Sequence, residues 1–246
     1  MNRITLILTI ALYSKCFGQD HVKFVIKESI NNDGIPKLDR NTFKVDNNKF
    51  FEDSFYLVSK TCSGEWGGTI KFKDKHTGIE YSAASTCPVV VNKLNDKYYI
   101  TNTLAHLSGF SEILEVSDPK ALTVFEFPKP RKKKGKTIIR YVGDDESKST
   151  KGTKQLLDSI GILTIASFPF QGQLYHIVVD YEKTYLTKLT NGKYITIDTI
   201  SNQRLWTYDP EVFTTTDKHY IIFFDNSNTK GYYDIYENNI TIVRQK

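Results

Sequence analysis

Cysteine is scarce in this chain, three residues in 246, and long apolar runs are scarcer. After residue 18 no stretch approaches the roughly 20 apolar residues that a spanning helix requires, so no transmembrane segment is expected there. A GxxxxGK[ST] phosphate loop, a GxSxG nucleophile elbow and an HExxH zinc motif are all missing. Charge of one sign is also limited. The formal net charge is +5, and removing Arg3 and Lys15 with a leader brings it to +3. That imbalance is too small to hold nucleic acid by charge alone.

What is present starts with the first eighteen residues. Arg3 is followed by the apolar run Ile4–Leu12, and Cys16-Phe17-Gly18 places small residues at −3 and −1 of a cut. This is the layout of a secretory signal peptide cleaved near Gly18, and it predicts a secreted, periplasmic or extracellular product. Cys16 falls inside the leader, leaving Cys62 and Cys87 as a pair in an oxidising compartment, where a disulfide is expected. About 228 residues then remain, enough to bury a core without depending on staples.

The remainder reads as β-structure. Fifteen Tyr and fifteen Phe favour strands. Polar turn residues followed by aromatic or aliphatic runs recur at 95–101, 172–180, 191–198 and 216–225, and Asn191-Gly192 is a two-residue hairpin signal. Thr69-Ile70-Lys71-Phe72-Lys73 alternates with period two, as a half-buried strand does. Four consecutive strands are expected at Val89–Lys93, Tyr98–Leu104, Glu112–Val116 and Leu122–Phe127. One short helix, Ser149–Ser159, is the main helical expectation, weakened by Gly152. The domain reading is a signal peptide at 1–18, a lead-in segment at 19–50, and one β domain at 51–246 with a charged loop at about 128–150. In that loop Lys129, Arg131–Lys134, Lys136 and Arg140 precede Asp144-Asp145-Glu146. Arms of opposite sign read first as a solvated hairpin and second as a contact for an anionic polymer or membrane surface.

Four-strand units at this spacing resemble the architecture of secreted β-propeller-type repeat proteins. The resemblance covers Phe55 to Lys246 and implies an all-β, antiparallel fold of about five four-stranded blades. A two-sheet β-sandwich has similar strand spacing and is the alternative. No Asp-box, kelch, WD or YWTD signature accompanies the resemblance, so it transfers no functional residue.

Candidate sites therefore come from the residues alone. Ser63-Gly64-Glu65-Trp66-Gly67-Gly68 surrounds a tryptophan with glycines, which allows a tight turn that presents the indole for sugar stacking; a core tryptophan near Cys62 is the plainer reading. Trp206, between Leu205 and Tyr208, reads as core. His106, His176 and His219 each fall at or near an expected strand and so are candidates to converge on a channel, where three imidazoles suit zinc, copper or iron. Buried structural histidines explain the same parity, and neither a metal nor a cofactor is assigned. The expected function is noncatalytic binding of a glycan or protein ligand through Glu65, Trp66, His106, His176 and His219. A secreted hydrolase or lyase, metal-assisted at a propeller channel, is the alternative.

Overall fold

The computed structural model describes residues 22–30, 38–138 and 143–245. The expected leader, with Cys16 and Gly18, lies outside the described residues, as do His21, residues 31–37 and Arg140.

The fold is all-β, built of mostly antiparallel sheets, none of them closed. Strand β1 (Val25–Ile30) sits at the edge of a sheet completed by the end of the chain. The first meander runs through β2 (Phe51–Glu52), β3 (Tyr56–Cys62), β4 (Gly68–Asp74) and β5 (Glu80–Ala84). The second runs through β6 (Pro88–Leu94), β7 (Lys97–Leu104) and β8 (Phe110–Val116). The chain then returns to sheets already begun. Strand β9 (Thr123–Val124) pairs with β5, while β10 (Arg131–Lys133) and β11 (Lys136–Ile138) form a separate ribbon. Strand β12 (Lys154–Ile160) then pairs with β8. The third meander is β13 (Leu163–Phe170), β14 (Gln173–Val179), β15 (Thr184–Thr190) and β16 (Lys193–Ser201). The fourth is β17 (Val212–Thr214), β18 (Tyr220–Asp225), β19 (Lys230–Tyr236) and β20 (Asn239–Gln245), with β1 parallel to β20. Four sheets of four or five strands are thus formed by the described residues.

Turn chemistry explains the hairpins. Asn95-Asp96, Gln171-Gly172 and Asn191-Gly192 each place two successive residues at positive φ, between 46° and 74°. That conformation matches the right-handed twist of the flanking strands.

Two local expectations are corrected. The span expected as a fourth strand, Leu122–Phe127, contributes only Thr123–Val124, and to a different sheet. Asp118 accepts a hydrogen bond from the Lys120 backbone N–H and Pro119 opens a short 3-10 turn, which swings the chain away from β8. Residues 154–160, overlapping the second half of the expected helix, instead form β12 and occupy the open edge of β8. Gly152 stands at φ +79°, and a Cβ there would meet the Ala121 carbonyl carbon at 2.7 Å. A helix cannot pass through that backbone conformation.

Apolar burial is divided. One cluster joins the first and second sheets through Val58, Ile70, Phe72, Tyr98, Ile100 and Leu114. A larger one joins the third and fourth through Phe168, Ile177, Leu186, Phe224, Tyr233 and Ile242. Between the second sheet and β13 lies a buried layer of hydrogen bonds. Thr101 Oγ1 donates to Ser167 Oγ at 2.7 Å, Asn92 Nδ2 to Ser167 O at 3.0 Å, and Thr103 Oγ1 to Thr164 O at 2.6 Å.

Candidate functional site

The segment between β3 and β4 carries the most exposed tryptophan. Gly64 at φ +62° and Gly67 at φ +107° bracket a one-turn 3-10 segment, Gly64–Trp66. The turn is closed by hydrogen bonds from Trp66 N to Ser63 O at 3.2 Å, Gly67 N to Gly64 O at 3.1 Å and Ser63 N to Gly67 O at 2.8 Å. Gly68 anchors its end: a Cβ there would lie 2.5 Å from Thr61 O and 2.7 Å from Ser85 O. Cys62 and Cys87 are disulfide-bonded, with Cα atoms 4.4 Å apart, so β3 is tied to the start of β6 just before the turn. The Ser63 hydroxyl also donates to Glu146. Held this way, Trp66 stands 77% exposed. It lies outside the core, on a braced turn.

Trp66 lines a cleft of about 390 Å³ with Glu65, His106, Tyr208 and Asp209. His106, just past β7, has Nδ1 3.5 Å from Glu65 Oε2. Tyr208 is 69% exposed. It also lines a second, adjoining cleft of about 540 Å³ with Arg204, Trp206, Glu182 and Asn202. The Trp206 and Tyr208 rings meet edge-on at 4.8 Å. Trp206 is half-buried, one side against the core and the other on this cleft, so its expected core role holds for one face only.

The loop carrying these side chains, between β16 and β17, has no regular structure, yet its backbone is pinned from Gln203 to Trp206. Gln203 O accepts from Thr184 Oγ1 at 2.9 Å, and Leu205 N donates to the same hydroxyl at 3.1 Å. Arg204 O accepts from Asn226 Nδ2, Leu205 O from the Tyr233 hydroxyl, and Trp206 O from Asp225 N. Leu205 itself is fully buried. Both neighbouring sheets therefore hold the backbone of residues 203–206 in place, and Tyr208 follows two residues on with its ring against Trp206.

A third element approaches from β3. Lys60 Nζ donates to Pro88 O at 2.6 Å and lies 4.1 Å over the Phe50 ring. Burial pushes its ammonium down to about 8, with Asp209 pulling weakly the other way.

Of the residues singled out in the sequence, Glu65, Trp66 and His106 come together; His176 and His219 do not join them. His176 is fully buried on β14, with Nδ1 2.7 Å from Ser167 Oγ and its ring 5.2 Å from that of Tyr194. Burial drives its pKa down to about 3, so the ring is neutral. His219 precedes β18, with Nδ1 2.6 Å from Asp234 Oδ1 and its ring stacked on Tyr236. Among the described residues no group of three or more His, Cys, Asp or Glu is arranged to hold a metal.

Sequence reasoning missed Arg204, Tyr208 and Asp209. Their signal was placement: two aromatics and an arginine in the polar span from Ser201 to Pro210, between strands rather than within one. The basic stretch forms the β10–β11 ribbon, exposed from Arg131 through Thr137, with Arg131 paired to Asp144. Among the described residues no helix is long and apolar enough to cross a membrane. No known family model, no curated protein and no solved structure matches the chain.

Proposed function

We propose that this is a secreted, noncatalytic binding protein that grips a glycan in the cleft between Trp66 and Tyr208. The observation that carries the reading is the exposure of these two aromatic side chains, Trp66 on a turn braced by a disulfide and glycines and Tyr208 just after a loop segment with sheet-anchored carbonyls. Sugar rings present C–H faces that stack on aromatic planes, while their hydroxyls need acceptors at the rim. Glu65 and Asp209 provide acceptors beside the indole. The Cys62–Cys87 disulfide supports an oxidising destination.

For the scaffold we propose two sandwich-like pairs of sheets. Its support is that each large apolar cluster draws on two sheets, with a polar layer between the pairs. The propeller ring, the first expectation from the sequence, is kept as the second reading, supported by the succession of meanders along the chain.

The test is a screen of the purified chain against an immobilised panel of oligosaccharides, repeated with Trp66→Ala. An exposed aromatic at the centre of a contact contributes about 2 kcal/mol, so the variant is expected to lose about 30-fold in affinity for any glycan retained. Retention unchanged by the substitution, or no retention of any glycan, removes the reading.

A further inference from the structure

The cleft adjoining the Trp66 site is lined by an arginine that makes no direct ion pair among the described residues. Arg204 projects from the pinned loop with its guanidinium carbon 5.3 Å from the Trp206 ring centroid and 5.9 Å from that of Tyr181. Its Nε is buried and has no hydrogen-bond partner, and it forms no ion pair among the described residues. The nearby carboxylate of Asp180 feels its charge, but Asp180 Oδ1 is committed to the backbone N–H groups of Glu182 and Lys183, at 2.8 and 2.7 Å. Glu182 lines the rim as the one acidic side chain of this cleft.

An arginine held between aromatic rings is oriented and partly desolvated, and its planar fork matches a carboxylate in two-point geometry. Around it the cleft offers ring faces, from Trp206 and Tyr208, and the side-chain amides of Asn202 and Asn228. At about 540 Å³ it accommodates one or two sugar rings. Tyr208 lines this cleft and the Trp66 cleft alike, so a single chain of sugars can occupy both.

We infer that the glycan bound here is acidic: a pyranose bearing a ring carboxylate, such as a uronate or a sialate, placed with its carboxylate on Arg204 and its neighbouring ring toward Trp66. The inference rests on the glycan-binding reading above and specifies its ligand. The acidic side chains Glu65 and Asp209 belong to the Trp66 end, so the sugar carboxylate is directed to the Arg204 end.

The test uses the whole folded chain and matched pairs that differ only in charge. Methyl glycosides of a disaccharide ending in glucuronate and of one ending in N-acetylneuraminate are each compared with their methyl esters. Binding is followed by tryptophan fluorescence and by amide shifts of the 202–208 loop. At low salt at least one acid is expected to bind about tenfold more tightly than its ester, with the preference shrinking as salt rises. Arg204→Gln is expected to abolish the preference and Arg204→Lys to keep part of it, whereas Trp66→Ala weakens acid and ester alike. Acid and ester binding equally, both weakened by Trp66→Ala, overturns the acidic specificity and leaves glycan binding standing. If no sugar of either pair binds, the acidic specificity fails. If in addition the panel retains nothing, the glycan reading fails with it. The comparison on the unaltered protein decides the matter even if the Arg204 variants fold poorly.

Discussion

His176 shows how one side chain connects a polar layer to the stability of the whole. Its ring is fully buried and bonded to Ser167 through Nδ1, with Nε2 lacking a hydrogen-bond partner among the described residues. An ordinary histidine takes a proton near pH 6.5, whereas burial holds this one down to about 3. Between those values the unfolded chain binds a proton that the folded chain does not, so stability falls as pH drops through the window. By pH 4.5 the loss amounts to ~3 kcal/mol. Asp53 behaves differently. Burial works to raise its carboxyl, but hydrogen bonds from Lys93, Tyr98 and two backbone N–H groups outweigh it and hold it at about 2. Its contribution is present above the ordinary carboxylate range and is lost as pH falls below it, at more acid pH than the histidine window. Urea unfolding at pH 7 and 4.5 is expected to show this loss in the native chain and a much flatter response in His176→Gln. Equal slopes for the two proteins would disprove the assignment.

At the scale of elements, the chain's two appendages differ sharply in weight. The β10–β11 ribbon pairs only with itself, and its Lys132, Lys134 and Lys136 are exposed. Replacing those three by Gln is expected to move the thermal midpoint by no more than about 2 °C, since exposed charges contribute little. The lead into β1 is the opposite case. Phe24 is buried against Phe168, Phe170 and Tyr175, with ring centroids 4.8 to 6.2 Å away, and so locks β1 over the larger core. Phe24→Ala is expected to cost ~3–5 kcal/mol in denaturant unfolding. The sequence made the ribbon look prominent and gave the Phe24 region no weight, because charge runs are visible in composition while burial is a property of the partners.

For the molecule as a whole, the disulfide is the one covalent tie across sheets among the described residues. Cys62 ends β3 in the first sheet and Cys87 precedes β6 in the second, 25 residues on. Closing a loop of that length stabilises the fold by ~3 kcal/mol on the chain-entropy model. The double variant Cys62→Ser with Cys87→Ser is expected to unfold at correspondingly lower urea concentration, with the Trp66 cleft losing its brace. An unchanged midpoint would show that the apolar cluster shared by those sheets holds them without help.

Local pattern was enough to establish an all-β chain, the hairpin at Asn191-Gly192, the Cys62–Cys87 pair and a glycine-flanked Trp66. Each depends on neighbours within a few residues or on counting a rare residue type. Sheet membership was decided in three dimensions. Strand β12 reached β8 across about 40 residues, and β9 crossed to β5, because backbone groups on a sheet edge gain from a partner and a polypeptide can supply one from any distance along its length. The cleft was decided the same way: Trp66 and Tyr208 stand 142 positions apart in sequence, and only the packing of the sheets brings their rings to one surface.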